Sequence, residues 1–410
     1  MADDVQRPLS GIRVVGLEQY MAGPYCTMLL ADAGADVIKI ERPGTGDPRR
    51  AMPPFAERDG KRKAAGFMSY NRNKKSLVLN IRSAGGQEVF RRLAATADVV
   101  VENLRPGSMT RLGLGQKEMR AKHPRLIWSI ISGFGRLEGY RGPYSDRPAF
   151  DIVAEAMSGI MNLVGFADKP PSWTIYGMAD IYSGQVTAYG IMQALFMRER
   201  TGRGQLVDSA MFDNMLALNE SMIALYSVAG QSPERGKPRN LWPRGAYQTK
   251  DGYIAINIPD NILWTRLCAA MGRDDLAADE RANSGTARSA NIEFLQPIIE
   301  GWLGTMTRDE AVETLNGQGI PCGPIYNARD VFADPHVKAR GMIMPIEDPE
   351  VGSFGFARSV PHMSAAPELP ANPAPNLGQH SREILEGLLG YDAGEVDRLV
   401  ADGVVETGEG

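Results

Sequence analysis

Asp180 is the residue of this chain best placed for chemistry. It lies in the stretch Gly177-Met-Ala-Asp-Ile-Tyr-Ser-Gly184, and the seventeen residues after it carry no charge until Arg198-Glu199-Arg200. Ile181, Gly184, Ala188, Ile191, Met192, Leu195 and Phe196 recur three or four apart, the period of a buried helix face. A helix over 180–200 is therefore predicted, with Arg198 and Arg200 against its negative end and Gly202 as a left-handed stop. Asp180 then falls at the N-terminus, where its plain role is that of N-cap. The same place favours an ionised carboxylate, which can attack an activated acyl group. The two roles are compatible.

The chain that must position this group has 410 residues, 43% hydrophobic and 23% charged, an ordinary composition for a globular protein of two domains. Its net charge of −4 gives no reason to expect nucleic acid or an anionic membrane as partner. Charge is uneven, however. Between Lys39 and Arg82 stand twelve Lys or Arg against four acids, a local excess of eight that could hold an anion or could be a solvated basic loop. Met-Ala-Asp-Asp at the start resembles no export signal, and no apolar run approaches membrane-spanning length, so a cytoplasmic protein is expected. Cys26, Cys268 and Cys322 fit reduced thiols, and His123, His336, His362 and His380 share no ligand spacing, so no metal site is expected.

Short β-branched runs alternate with amphipathic helices over the first 135 residues: strands over 12–16, 35–40, 98–102 and 126–131, helices over 24–33, 86–97 and 116–122. That rhythm predicts an α/β fold with a Rossmann-like, largely parallel sheet. Gly133, Gly135 and Gly139 miss the dinucleotide spacing by one residue, and no Walker lysine follows a glycine loop. Helices are expected over 151–164, 180–200 and 211–228, then a linker over 231–244 and a hairpin over 247–256 turning at Asp251-Gly252. A helical stretch to about Gly319, strands over 342–361 and an extended run over 367–375 precede the closing helices. The domains read as 1–225, a large α/β part; 226–330, a small α+β domain; and 331–410, a segment returning to the large one.

Several segments in order resemble the class III CoA-transferases, the group of formyl-CoA transferase and carnitine CoA-transferase. They are Ala22-Gly-Pro24, the run from Leu30 to Pro43, Asn71 to Asn80, Asp98 to Gly107, Arg111-Leu-Gly113, Thr201 to Gln205, Asp251-Gly252 and Gly319 to Pro324. The resemblance covers nearly the whole chain. It implies that Asp180 is the nucleophile. It also implies that Arg42, Leu79, Arg82, Asn103, Leu104 and Arg111 hold the CoA nucleotide, with Arg147, Ala149 and Phe150 along the pantetheine and thioester. Coenzyme A and acyl-CoA are then substrates, no cofactor is bound permanently, and the partner is a second copy in an interlocked homodimer.

Formyl-specific members have Gln where this chain has Met21, and their four-glycine run has no counterpart around 240–245, which argues against formyl-CoA and oxalate. Met21 and Trp242 point to an apolar acyl pocket, and Arg244 or Arg239 to a second substrate carboxylate, as in a dicarboxylic acceptor. The implied chemistry passes through an aspartyl-acyl anhydride and an aspartyl-CoA thioester, with oxyanion donors among the amides of Gly23, Gly177 or Gly245. A rival is the α-methylacyl-CoA racemase branch, which moves an α-proton between two carriers. Its His position is here Phe150, which carries no proton, and the neighbouring Asp151 reads as a helix start. The other rival is a CoA-binding protein without turnover.

Overall fold

The computed structural model describes residues 7–236, 242–358, 361–368 and 370–408. The chain forms two compact units: residues up to 164, 171–233 and 342 onward make the larger, and residues 165–170 and 234–341 the smaller.

The larger unit opens with β1 (Arg13–Leu17), α1 (Ala22–Asp32) and β2 (Asp36–Glu41). A hairpin of β3 (Phe55–Arg58) and β4 (Lys61–Ala64) leads through α2 (Ala65–Asn71) into β5 (Lys75–Leu79). Then come α3 (Ala84–Ala95), β6 (Val99–Glu102), α4 (Gln116–Lys122), β7 (Ile127–Ser132), α5 (Asp151–Met157), α6 (Met178–Thr201) and β8 (Leu206–Ala210). Helices α7 (Met211–Leu218) and α8 (Glu220–Ala229) follow. The smaller unit holds a three-stranded antiparallel sheet of β9 (Arg244–Gln248), β10 (Tyr253–Asn257) and β11 (Cys322–Pro324), and its helices lie between 261 and 339. Back in the larger unit, β12 (Ile343–Asp348) pairs with β13 (Gly352–Ala357), and the chain closes on β14 (Val405–Glu406).

The central sheet has seven strands in the order β14-β5-β2-β1-β6-β7-β8, parallel throughout except where β14 lies antiparallel on β5. Both faces are covered, as a parallel sheet requires. Val14, Val37, Val99, Val101, Ile127 and Ile131 pack under α1 and α6, whereas Val15, Ile38, Leu77, Val100 and Trp128 pack on the other side with Val89, Phe90 and Leu93 of α3. Alternate residues of each strand thus serve opposite layers. The α/β rhythm read from the sequence is borne out.

Three helix expectations change. The helix predicted over 151–164 ends at Met157. The one predicted over 211–228 breaks at Asn219, whose amide donates to Ser158 O at 3.1 Å. And α6 begins at Met178, so Asp180 is not its N-cap: Gly177 takes that place at φ 84°, a left-handed conformation that favours glycine. The smaller unit runs to Gly341, taking in the helices Ala328–Ala333 and Pro335–Ala339.

Strand order places the functional edge. Going out from β1, the chain first builds β2 and β5 on one side, then crosses to β6 and β7 on the other, so the switch lies between the carboxyl ends of β1 and β6. Open α/β sheets bind ligands in that crevice. Here the two lips are tied together, for the Asn103 side chain accepts from Gln19 N–H at 2.9 Å and donates to Gln19 O at 2.8 Å.

Candidate active site

The carboxyl edge of the sheet gathers most of the residues singled out from the sequence. Leu79 ends β5 and Arg82 follows it, Arg42 follows β2, Asn103 and Leu104 follow β6, and Arg111 lies in the next connection. Beyond β7, Gly133 touches Ala149 so closely that a Cβ at 133 would come within 2.5 Å of the alanine methyl. Leu79 is itself a core side chain, 2% exposed, so only its backbone faces this edge. Arg42, Arg82, Arg111 and Arg147 are exposed and form no ion pair among the described residues. Arg42 donates to Gly46 O at 2.9 Å, Arg111 to Pro106 O at 3.3 Å, and Arg147 lies over the Tyr144 ring.

The local excess of positive charge does not form one surface. Lys39, Arg50, Lys63, Arg72 and Lys74 are consumed in ion pairs with Glu18, Asp47, Glu41, Asp348 and Asp32. Charges brought out of water must be paired, and these are. Lys39 is fully buried between Glu18 and Asp47; burial alone would lower its pKa, but Asp47, Glu18 and Glu41 together push it up. Lys74 donates to Glu18, Asn71 Oδ1 and Pro24 O, and burial brings it down to about 8.

This buried network reaches the candidate nucleophile through Asp47. One Asp47 oxygen accepts from Tyr20 N–H at 3.2 Å and from Arg49 N–H at 2.9 Å, while the other pairs with Lys39. Tyr20, at φ 64°, meets the Phe150 ring edge to face at 6.3 Å. The Arg49 guanidinium lies over the Tyr70 ring, 5.0 Å from its centre, and acts electrostatically on Asp180.

Asp180 stands in the first turn of α6, partly exposed. The free amides of that turn are capped from outside, since Asp151 Oδ1 accepts from Ala179 N–H at 2.6 Å and from Asp180 N–H at 3.1 Å. Asp151 opens α5, as read, but its carboxylate serves the helix of the nucleophile. The Asp180 carboxyl therefore has no capping duty and accepts no hydrogen bond among the described residues. Burial and then the Asp151 charge push it up to about 7, against a smaller opposing pull from Arg49.

Helix α1 crosses α6 at Gly184, where a Cβ would meet Ala22 O at 2.8 Å. Asp180 and Gly184 are four residues apart and share a face, so the face of α6 that carries Asp180 is the one on which α1 packs. Met21 in the N-cap position offers no side-chain acceptor, and the amides of Ala22 and Gly23 have no partner among the described residues. Met21 is buried against Gly177, with Cε 2.1 Å from where a Cβ there would sit.

The smaller unit holds the remaining residues singled out from the sequence. Trp242 is 3% exposed in that unit's own core, with its carbonyl bound by Arg288. Arg244 is exposed at the start of β9 beside Gly245, and Arg239 lies outside the described residues. No group of His, Cys, Asp and Glu among the described residues could hold a metal ion, and no helix among them is long and apolar enough to cross a membrane. The sequence reading missed Arg49, Tyr70 and the Glu18–Lys39–Asp47 network; the run Asp47-Pro-Arg-Arg50 was its only local signal.

Comparison with known proteins places this geometry. The model of the family described as CoA-transferase family III matches residues 9–381. The chain is 38% identical over 402 residues to succinyl-CoA–D-citramalate CoA-transferase of Chloroflexus aurantiacus, covering 97% of this chain and 98% of that one. It is 35% identical to succinyl-CoA:glutarate CoA-transferase of Mus musculus, covering 99% and 92%. The crystal structure of a CaiB/BaiF family protein from Brucella suis superposes with a TM-score of 0.84 at 37% identity, covering 93% of this chain and all of that one. With these relatives over nearly its whole length, the chain is a transferase of coenzyme A, and it belongs to CoA-transferase family III.

Proposed function

We propose that this enzyme moves CoA between dicarboxylic acids, with succinyl-CoA as donor and Asp180 as the covalent nucleophile. The observation that carries the proposal is the Asp180 carboxyl, fixed at the start of α6 with its amide held by Asp151, bound by no donor among the described residues and raised to about 7. Such a carboxylate, once ionised, is basic and unclaimed, and so reactive toward a thioester.

The ionised Asp180 oxygen attacks the donor thioester carbonyl; the C–S bond breaks, CoA leaves as thiolate, and an aspartyl-acyl anhydride remains. The thiolate then attacks the Asp180 carbonyl carbon, expelling the donor acid as carboxylate and leaving an aspartyl-CoA thioester. The acceptor carboxylate attacks that thioester, and the thiolate released takes the acceptor acyl group, which frees Asp180. No proton is needed at any step. The unpartnered amides of Ala22 and Gly23, beside the α6 start, supply donors for the oxyanions. Arg42, Arg82 and Arg111 are proposed to take the CoA phosphates as charge-assisted donors, with Arg147, Ala149 and Phe150 along the thioester arm. The dicarboxylic class is supported by the names of the relatives, which transfer CoA to citramalate, mesaconate, glutarate and malate.

The test is trapping. Incubation with succinyl-CoA and hydroxylamine should convert Asp180 to a hydroxamate, seen by peptide mass spectrometry, and Asp180→Ala should abolish exchange while CoA affinity changes by less than about 1 kcal/mol. Turnover without an adduct, or with α-proton exchange instead, would refute the covalent route.

A second copy completes the assembly in this proposal, as an interlocked homodimer. Helix α8 has no buried residue although Ile223, Tyr226 and Val228 lie on it, and Tyr189, Met192 and Phe196 of α6 are exposed as well. Apolar area of that extent calls for a partner. A stable monomer in light scattering would remove this part.

A further inference from the structure

We propose that Arg49 binds the non-reacting carboxylate of the dicarboxylic acyl group and so sets the preference for diacids. This rests on the covalent transfer proposed above and assigns its substrate-recognition residue. The sequence pointed instead to Arg244 or Arg239.

Arg49 is 9% exposed, and its guanidinium donates to no acceptor among the described residues; Nε is wholly buried and unpartnered. Every other deeply buried cation of this region is satisfied: Lys39 by Glu18 and Asp47, Lys74 by Glu18, Arg72 by Asp32. A buried charge without a counter-ion is costly, and such a group persists where a ligand completes it. The fold also restrains Arg49 strongly. Its N–H is bound by Asp47, which Lys39 anchors, and its side chain lies over Tyr70. Gly66 leaves the room for it, since a Cβ there would fall 2.6 Å from Nη2 and 2.7 Å from Nε. The planar fork is therefore preorganised, which suits two-point recognition of a carboxylate.

Its position selects which carboxylate. Arg49 acts on Asp180 electrostatically but forms no ion pair with it among the described residues, which leaves both groups free to meet a ligand. A guanidinium clamped on a reacting carboxylate would quench its nucleophilicity, and Asp180 is spared that clamp. A diacid whose near end meets Asp180 presents its far carboxylate, which takes no part in bond making and must be neutralised to enter at all. A monoacid of equal length would place a methyl group against the unpaired guanidinium, leaving the charge uncompensated. Sites built to bond a polar group reject analogues lacking it far more strongly than apolar pockets reject an extra methylene.

The measurement compares chain-matched acids, succinate with butyrate and glutarate with valerate, using succinyl-CoA and butyryl-CoA as donors. Arg49→Gln should lower kcat/KM for the diacids about 100-fold, mainly through KM, and change the monoacid values less than about threefold. Arg49→Lys should recover part of the diacid rate, and CoA affinity should not move. If Arg49→Gln does not fold, Gly66→Ala, which displaces the guanidinium, should show the same selective loss in smaller measure. Equal losses for both acid classes, no loss, or a diacid effect confined to Arg244→Ala would overturn the assignment. Failure of the wild-type enzyme to exchange any acid would instead refute the transfer reaction.

Discussion

Asp151 holds the start of the helix that carries Asp180, its Oδ1 taking the N–H of Ala179 at 2.6 Å and of Asp180 at 3.1 Å. The two residues are far apart in sequence, on α5 and α6. The contact does two things: it satisfies two free amides in the first turn of α6, and it sets a negative charge beside the nucleophile. Asp151→Asn keeps an acceptor but removes that charge. The acid limb of the kcat/KM profile should move to lower pH, and stability should fall by about 0.5–2 kcal/mol, the cost of a weakened cap. Thermal melts and pH–rate profiles check both; an unmoved limb would show that Asp151 does not tune Asp180.

Activity of the wild type should rise with pH through about 7, because the nucleophile is the ionised form of a carboxyl raised to that value by burial and by Asp151. The profile of kcat/KM for the acyl-CoA reports the free enzyme and is the one to measure. A limb in the ordinary carboxylate range would contradict the raised value.

Asp180 should also cost the fold stability as pH rises. Its folded value, about 7, lies above the ordinary 3.8. Below about pH 4 the group is protonated whether folded or unfolded; above it the unfolded chain loses its proton first, so the folded state loses ground until about pH 7 and then levels off. Asp180→Asn removes the penalty. Its melting temperature should exceed that of the wild type at pH 8, and the gap should close toward pH 4. A constant gap would mean that the ionisation is not its source.

Lys39→Met should be severe. It strips Asp47 of its counter-ion and leaves the buried Glu18 with Lys74 alone, at a cost of about 3–5 kcal/mol. Because Asp47 also holds the amides of Tyr20 and Arg49, the surviving folded enzyme should lose activity as well. Urea denaturation gives the first quantity. A change below about 1 kcal/mol would show that the pairs contribute little net stability.

The sequence by itself determined the α/β alternation, because strand and helix periods are local records of which side chains meet the core. Val14 and Val15, or Val37 and Ile38, declare two buried faces before any fold is known. It also placed Asp180 near a helix start, and the order of its motifs carried the resemblance to the family. Tertiary structure alone decided what those groups do electrostatically. That Asp151 rather than Asp180 caps α6, that Asp180 is raised rather than held ionised, that Lys39 and Lys74 are spent on Glu18 while Arg49 is left unpaired, and that Trp242 is core all depend on distances between segments remote along the chain. Burial and charge pairing fall off over a few ångströms in space, and sequence separation says nothing about those ångströms.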